Sequence, residues 1–200
     1  MANNTNKSRL LWEVASLQDG YFTARQARGV GYNTNGQTYQ VKAGNWIRES
    51  RGIYRFANYP LGERPDLMTW YLWSCNREGE PQGVYSHQTA LSLYEVSDVN
   101  HAKIHMTVPR GFRRSVERPK VLVFHIHALS PKDIGEIHGV AVTRPIRTLV
   151  DVAVEGALSR DLLEQAVTEC AQRGLVTRTE LDEARLGHWE LDGLLTGMGR

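Results

Sequence analysis

The stretch that decides the fold is SRLLWEVASLQDGYFTARQARGVGYNTNGQTYQVKAGNWIRESRGIYRF, residues 8–56. Its first part predicts a helix behind the capping residue Ser8, because apolar residues recur at helical spacing at Leu10, Leu11, Val14 and Leu17. Gly20 ends that pattern, and Thr23 is placed to cap a second short helix, ARQAR, which two glycines close. Two helices are therefore expected before residue 32.

A third helix and a hairpin complete this stretch. Asn33 or Thr34 can cap a helix over roughly Asn35 to Ala43, with Tyr39 expected to point inward. The β-prone runs WI and IYRF then lie on either side of a glycine-containing turn, which is typical of a hairpin. Three helices followed by a two-stranded hairpin predict a winged helix-turn-helix over residues 1–59.

The residue types of this segment suit DNA. A winged helix-turn-helix places its third helix in the major groove, where amides and hydroxyls read base edges and basic side chains contact phosphates. On that basis the predicted DNA-binding residues are Thr34, Asn35, Gln37, Thr38, Gln40 and Lys42 on the third helix, with Arg25, Arg28, Arg48, Arg51 and Arg55 around it. The alternative is a domain of the same fold that only docks onto another protein.

Charge is unevenly distributed along the chain. Residues 1–59 hold eight basic and three acidic side chains, a net charge of +5, whereas residues 155–200 hold five and nine, a net charge of −4. A polyanionic partner is therefore expected to meet the N-terminal part.

The remaining sequence predicts a second domain over residues 60–200. Helical patterns near residues 66–77 and after Ser86 precede three strand-like runs, AKIHMTVP, PKVLVFHIH and IHGVAVT. Pro145, Ser159 and the Thr177–Glu180 capping box then mark the starts of three helices. The fold class expected for the whole chain is α+β, with a small sheet and a helical C-terminal section.

Composition indicates a cytoplasmic protein with no membrane partner. No run approaches the roughly 18 apolar residues that span a bilayer, and the start MANNTNKSRL lacks the apolar segment of a secretory signal. The two cysteines, Cys75 and Cys170, have no metal-ligand spacing, so we expect small buried side chains.

No catalytic or metal-binding arrangement is complete in the sequence, so we expect neither an enzyme nor a cofactor. His125 and His127 share one face of a strand, and His101, His105 and His138 lie nearby, yet no carboxylate at a fixed offset completes a zinc site. These histidines are interpreted as polar strand-edge residues. Ser86 is interpreted as an N-cap and His87 as its hydrogen-bonding neighbour rather than as a nucleophilic pair.

Two further groups have a structural and a functional interpretation. Arg147 and Asp151 lie four residues apart on one helix and can form an ion pair, or can belong to a surface that neutralises a toxin. The loop before the second strand is basic and is either a solvated hairpin tip or an extension of the DNA footprint, through Arg110, Arg113, Arg114 and Arg118.

Four stretches together resemble the AbiEi antitoxin family: RGIYRF, VYSHQTALSLYEV, TVPR and VTRPIRTLVDVA, in a match that spans roughly residues 8–185. The family's motif residues in the second domain correspond to Ser86, His87, Thr143, Arg147, Thr148 and Asp151. The resemblance implies repression of the protein's own operon through inverted repeats in double-stranded DNA. It also implies that the second domain counteracts a nucleotidyltransferase-type toxin without forming a tight complex. The alternative function is that of a nuclease-like enzyme, with Asp66, Glu117 and Lys120 as an incomplete carboxylate–lysine set.

Overall fold

The computed structural model describes residues 2–62, 64–97, 102–114 and 117–191. The chain divides into two compact units, Met1–Gln82 and Gly83–Arg200. Helices and two small, separate sheets make up the described residues, so the fold is α+β, as the sequence predicts.

The first unit contains a short strand between its first two helices and a hairpin after its third. Its elements are α1 (Ala2–Ser16), β1 (Tyr21–Thr23), α2 (Ala24–Gly29), α3 (Thr34–Lys42), β2 (Trp46–Ser50), β3 (Ile53–Phe56) and α4 (Pro65–Trp73). The three strands form an antiparallel sheet in the order β1-β3-β2. The predicted hairpin is confirmed, and β1 is an additional strand that sequence patterning did not reveal.

Local capping explains where the short helices begin. Thr23 and Gln26 form a capping box at the start of α2, and the Asn33 side chain accepts from the Gly36 backbone N–H at the start of α3. Both predicted caps are therefore confirmed. The predicted start of the first helix is wrong, since α1 already begins at Ala2 and Ser8 lies inside it.

Aromatic side chains form the core of the first unit. The ring of Phe22 contacts Trp46 edge-on with centroids 4.8 Å apart, and Phe56 at 5.1 Å. Trp46 also meets Tyr32, which precedes α3, at 4.9 Å. This cluster joins the sheet to the helices and leaves the opposite face of α3 toward solvent.

The predicted domain boundary after residue 59 lies inside the first unit. Helix α4 packs against β1 and β3, and the Arg25 guanidinium donates to the backbone carbonyl of Arg77 at 2.6 Å. Residues 60–82 therefore belong with the N-terminal sheet rather than with the second domain.

The second unit is a five-stranded mixed sheet with helices. Its elements are β4 (Val84–Tyr85), α5 (His87–Leu93), β5 (Ile104–Val108), β6 (Leu122–Ile126), β7 (Ile134–Ile137), β8 (Val140–Thr143), α6 (Pro145–Val154), α7 (Arg160–Gln172) and α8 (Arg178–Gly187), with 3₁₀ turns at Pro131–Asp133 and Trp189–Leu191. The strand order is β6-β5-β4-β8-β7; β5 pairs with β6 and β4 with β8 in parallel, and the other two pairs are antiparallel.

The sequence predicts one strand over the run IHGVAVT. In the structure this run contains the end of β7, the turn and the second strand of a hairpin. His138 and Gly139 both have positive φ, 51° and 72°, and form the turn between β7 and β8. The predicted starts of the last three helices are confirmed, because Pro145 occupies the first turn of α6, Ser159 caps α7, and Thr177 and Glu180 form the capping box of α8.

Apolar side chains from these helices form the core of the second unit, including Leu91 on α5, Leu149 and Val152 on α6, and Ala166 and Cys170 on α7, none of them exposed. Within the described residues, no helix has the length and apolar character required to cross a bilayer.

Candidate functional site

One face of α3 is open to solvent. Thr34, Asn35, Thr38, Tyr39 and Lys42 are exposed, at positions that repeat with the helical period. The Thr38 hydroxyl donates to the Thr34 carbonyl at 3.0 Å, which is a local contact within the helix. This face therefore presents hydroxyl, amide, phenol and ammonium groups and no carboxylate.

Tyr39 is not inward, contrary to the prediction from sequence. Its side chain is 65% exposed, and the core position beside α3 is filled instead by Tyr32, which is 6% exposed. Tyr39 thus belongs to the outward face of the helix.

Two of the predicted base-reading residues are instead structural. Gln37 is 4% exposed, and its amide nitrogen donates to the backbone carbonyls of Ala24 at 3.2 Å and Tyr32 at 3.1 Å. The Gln40 side-chain oxygen accepts from the Asn45 amide at 2.8 Å, and Gln40 is 9% exposed. Each side chain thus has a hydrogen-bond partner within the unit and little exposed surface.

Arg55, a predicted phosphate contact, is also structural. It is 5% exposed, and its Nε lies 2.9 Å from the Glu49 carboxylate. Its guanidinium also donates to the backbone carbonyls of Phe56 and Tyr59 at 3.1 and 3.2 Å. Arg55 therefore joins the end of β3 to the chain that follows it.

The other basic side chains predicted to contact phosphates remain exposed. They are Arg25 and Arg28 on α2, Lys42 on α3, Arg48 on β2 and Arg51 in the hairpin turn. Arg25 is partly engaged through its bond to the Arg77 carbonyl. None of the ion pairs found among the described residues includes Arg28, Lys42, Arg48 or Arg51.

The basic loop of the second unit is partly described, since residues 115 and 116 lie outside the described residues. Arg110, Arg113 and Arg118 are exposed, and Arg114 is half-buried. The Arg118 guanidinium lies 5.9 Å from the centre of the Phe124 ring, which supports one side of the loop against β6.

The VTRPIRTLVDVA motif holds α6 against β8. The Thr143 and Thr148 hydroxyls lie 2.7 Å apart, and both residues are fully buried. The predicted ion pair between Arg147 and Asp151 is confirmed, with Nε 2.8 Å from Oδ1. Burial raises the pKa of Asp151, and the positive charge of the neighbouring Arg147 offsets part of that rise. These contacts give the motif a structural role.

Three histidines and one carboxylate from different elements lie together in the second unit. His87 begins α5, His105 lies on β5, His125 lies on β6, and Glu155 follows α6. The Glu155 Oε1 atom lies 2.9 Å from His125 Nδ1 and 3.3 Å from His87 Nε2. The His87 and His125 rings stack with centroids 3.5 Å apart, and His105 Nδ1 lies 3.0 Å from His125 Nε2. We call these four residues the histidine cluster.

Ser86 lies behind the histidine cluster rather than capping α5 with its side chain. Its Oγ accepts from the Thr107 hydroxyl at 2.9 Å and lies 2.9 Å from His87 Nδ1. His87 has φ +55°, a left-handed conformation uncommon for a non-glycine residue. Burial lowers the pKa of His87 to about 3, and the neighbouring His125 adds to this effect, so its imidazole is neutral at neutral pH.

The structure places His105 and His125, interpreted from the sequence as polar strand-edge residues, in the histidine cluster. Sequence reasoning sought a carboxylate close by, whereas Glu155 is 30 residues beyond His125 and reaches it through the packing of α6. His127 and His138 are exposed, and His101 lies outside the described residues. The chemistry that this arrangement allows is hydrogen-bond relay or coordination of a cation by two imidazoles and a carboxylate.

The residues of the predicted nuclease-like set either form a local ion pair or are exposed to solvent. The Asp66 carboxylate lies 3.3 Å from Arg64 Nε at the start of α4, while Glu117 and Lys120 are exposed in the loop before β6.

Comparison with known proteins identifies a shared fold. No protein-family model and no curated protein matches the chain. The chain is similar in structure to the RV2827C protein from Mycobacterium tuberculosis, with a TM-score of 0.50 and 14% sequence identity, over 96% of this chain and 72% of that one. At this identity the similarity concerns the fold alone.

Proposed function

We propose that the first unit is a winged helix that binds double-stranded DNA, and that the chain is a sequence-specific transcriptional regulator. The observation that carries this proposal is the outward face of α3, where Asn35, Thr38 and Lys42 are exposed without a carboxylate among them. The order of elements, three helices with a short strand and then a hairpin, supports it.

The corrected set of DNA contacts divides into two kinds. Asn35 and Thr38 face outward from the first two turns of α3, the part of a recognition helix that reaches base edges. Basic side chains around them contact phosphates, at Arg25, Arg28, Lys42, Arg48 and Arg51. Gln37, Gln40 and Arg55 are not proposed as DNA contacts, because each is largely buried and hydrogen-bonds to a partner within the unit.

The test is an anisotropy titration with the full chain on DNA from upstream of its own gene, beside a random duplex, at several salt concentrations. We expect tight binding to the first duplex and an affinity that falls as salt rises. Arg51→Ala should weaken binding to both duplexes and reduce the salt slope by about one. The control is Lys132→Ala, which removes an exposed cation from the second unit.

Base reading is tested with Asn35→Ala. This change should relax the preference for the specific duplex, by about 1–3 kcal/mol, while leaving random DNA almost unaffected. Equal losses on the two duplexes would mean that Asn35 does not read base edges. Binding that is absent on both duplexes at low salt would leave the first unit as a protein-docking domain.

The regulator is further proposed to repress its own operon in the cytoplasm through inverted repeats and to counteract a nucleotidyltransferase-type toxin. This part rests on the resemblance of the four sequence motifs. It is tested by co-expressing the chain with the neighbouring gene and measuring growth. Arg51→Ala should bind the operator more weakly yet still rescue growth, because the antitoxin activity is assigned to the second unit. Loss of rescue in that variant would contradict the assignment.

A further inference from the structure

The histidine cluster brings three metal-ligating atoms together around one point. Donor atoms of His87, His125 and Glu155 all lie within 4.8 Å of one another. The nitrogens that face Glu155 Oε1 are His87 Nε2, at 3.3 Å, and His125 Nδ1, at 2.9 Å. Two imidazoles and a carboxylate are one of the ligand sets that bind zinc in proteins.

One of these donor atoms is buried without a hydrogen bond. His87 is 1% exposed, and among the described residues no group hydrogen-bonds to its Nε2. The nearby Glu155 carboxylate lies within ion-pair distance of it but not in hydrogen-bonding geometry. Buried polar atoms in native proteins nearly always have a partner, and the described residues supply no hydrogen bond to this nitrogen.

The other nitrogen of each imidazole is already held. His87 Nδ1 lies 2.9 Å from Ser86 Oγ, which accepts from Thr107 in turn. His125 Nε2 lies 3.0 Å from His105 Nδ1. Hydrogen bonds of this kind orient metal-binding histidines and set which nitrogen carries the proton. They leave His125 Nδ1 bonded to the carboxylate and His87 Nε2 beside it, 3.3 Å from the same oxygen.

The surroundings also leave a path to solvent. Glu155 follows the last turn of α6 with its side chain 36% exposed, while the His125 side chain is 10% exposed. An ion can therefore reach the two buried rings from the side of Glu155. With three ligands from the chain, a tetrahedral ion keeps one position for water or another small ligand.

We propose that His87, His125 and Glu155 bind one divalent transition-metal ion, with zinc as the ion that the ligand set favours, and that Ser86 and His105 position the two imidazoles. Mixed nitrogen and oxygen ligands favour Zn²⁺ and Co²⁺ over Mg²⁺, which prefers oxygen ligands and bound water. Metal binding at this site is independent of the proposed DNA binding.

The experiment uses the untagged full chain, stripped of metal with EDTA and dialysed. Zn²⁺ is titrated in competition with a chromogenic chelator, and Co²⁺ serves as a spectroscopic probe. We expect one ion per chain, visible ligand-field bands of tetrahedral Co²⁺, and a melting midpoint that rises with added Zn²⁺. Mg²⁺ at the same concentration should not compete.

Glu155→Gln and His125→Asn are the test variants, and each should weaken Zn²⁺ binding by at least about tenfold. Glu136→Gln and His138→Asn are matched controls, because both side chains are exposed on the β7–β8 hairpin and Asn tolerates the left-handed backbone at residue 138. Both controls should bind like the wild type.

Folding of the test variants is checked by circular dichroism in EDTA, where Glu155→Gln should melt close to the wild type because its side chain is partly exposed. The proposal is overturned if the wild-type chain binds no Zn²⁺, or if Glu155→Gln binds it as tightly as Glu136→Gln. The second result would mean that the histidine cluster is a hydrogen-bond network only.

Discussion

Neighbouring residues of α3 lie in opposite surroundings. Gln37 is buried and satisfies two backbone carbonyls, whereas Thr38 is exposed. We expect Gln37→Ala to lower the free energy of unfolding by about 1–3 kcal/mol, because two carbonyls lose their donor. Thr38→Ala should change it by less than about 0.5 kcal/mol. Urea denaturation of the two variants measures the difference, and similar midpoints would contradict the buried role of Gln37.

Two arginines of the hairpin offer a second matched pair. The side chain of Arg55 is 6% exposed and bonds to Glu49 and two backbone carbonyls, while Arg51 is exposed in the turn. Arg55→Met should destabilise the first unit by about 2–4 kcal/mol, since a partly buried carboxylate and two acceptors lose their partner. Arg51→Ala should remain within about 0.5 kcal/mol of the wild type in the same denaturation experiment. Equal losses of unfolding free energy in the two variants would contradict the buried, bonded role of Arg55.

The burial of single polar residues was the hardest feature to predict from the sequence. Amides on a helix without acidic residues favour a base-reading role. Only the loops that approach α3 show that Gln37 and Gln40 have partners at Tyr32 and Asn45. The aromatic ring of Tyr39 predicts an inward side chain, yet Tyr32 occupies the core position beside α3 and Tyr39 is exposed. The sequence shows which side chains are polar, but their hydrogen-bond partners depend on the tertiary contacts.

At the scale of elements, the capping box of α8 is expected to make stability depend on pH. Hydrogen bonds from the Thr177 backbone N–H and hydroxyl lower the pKa of Glu180 below its ordinary value of 4.5. The folded pKa is thus below the unfolded one, so this stabilisation is present above the unfolded pKa and is lost as the pH falls through the folded pKa. Glu180 is only partly buried, so solvent screening keeps the effect small.

Glu180→Gln should therefore lose less stability than the wild type between pH 7 and pH 3, measured by urea denaturation at each pH. The exposed Glu183 on the same helix gives the control Glu183→Gln, which should follow the pH dependence of the wild type. A steeper loss in Glu180→Gln than in the wild type would reverse the sign and contradict the argument.

Elements whose signals are local were predictable. Thr23, Asn33, Ser159 and Thr177 each cap a helix through the backbone N–H three residues ahead, so the pattern is complete within a short window. The β7–β8 hairpin was missed because its turn, His138 and Gly139, is not among the dipeptides that usually mark a turn. Strand β1 was missed because three residues are too short to show alternation.

The α+β class was predictable for the whole molecule, but the histidine cluster was not. His87, His125 and Glu155 are joined only after β5 pairs in parallel with β6 and α6 packs against α5. Their positions in sequence span 68 residues, and no spacing rule for metal ligands covers such a distance. Long-range pairing of this kind is a property of the topology rather than of any sequence window.

The two cysteines provide a probe of the whole molecule, because one lies in each compact unit. Cys75 follows α4 in the first unit, and Cys170 lies in the core of the second, both buried. Burial also raises the pKa of the Cys170 thiol to about 11. Neither thiol should react with Ellman's reagent at pH 8 until its unit opens, because reaction requires an accessible thiolate.

Destabilising one unit should therefore expose one thiol. In Arg55→Met we expect faster labelling of Cys75 and an unchanged rate at Cys170, since the cores of the two units are formed by separate sets of residues. Cys75→Ala and Cys170→Ala backgrounds assign each rate to its residue, and Arg51→Ala is the control with both rates unchanged. If Arg55→Met accelerated both thiols equally, the two units would unfold as one cooperative structure, and stability measured by denaturation would describe the whole chain rather than its N-terminal part.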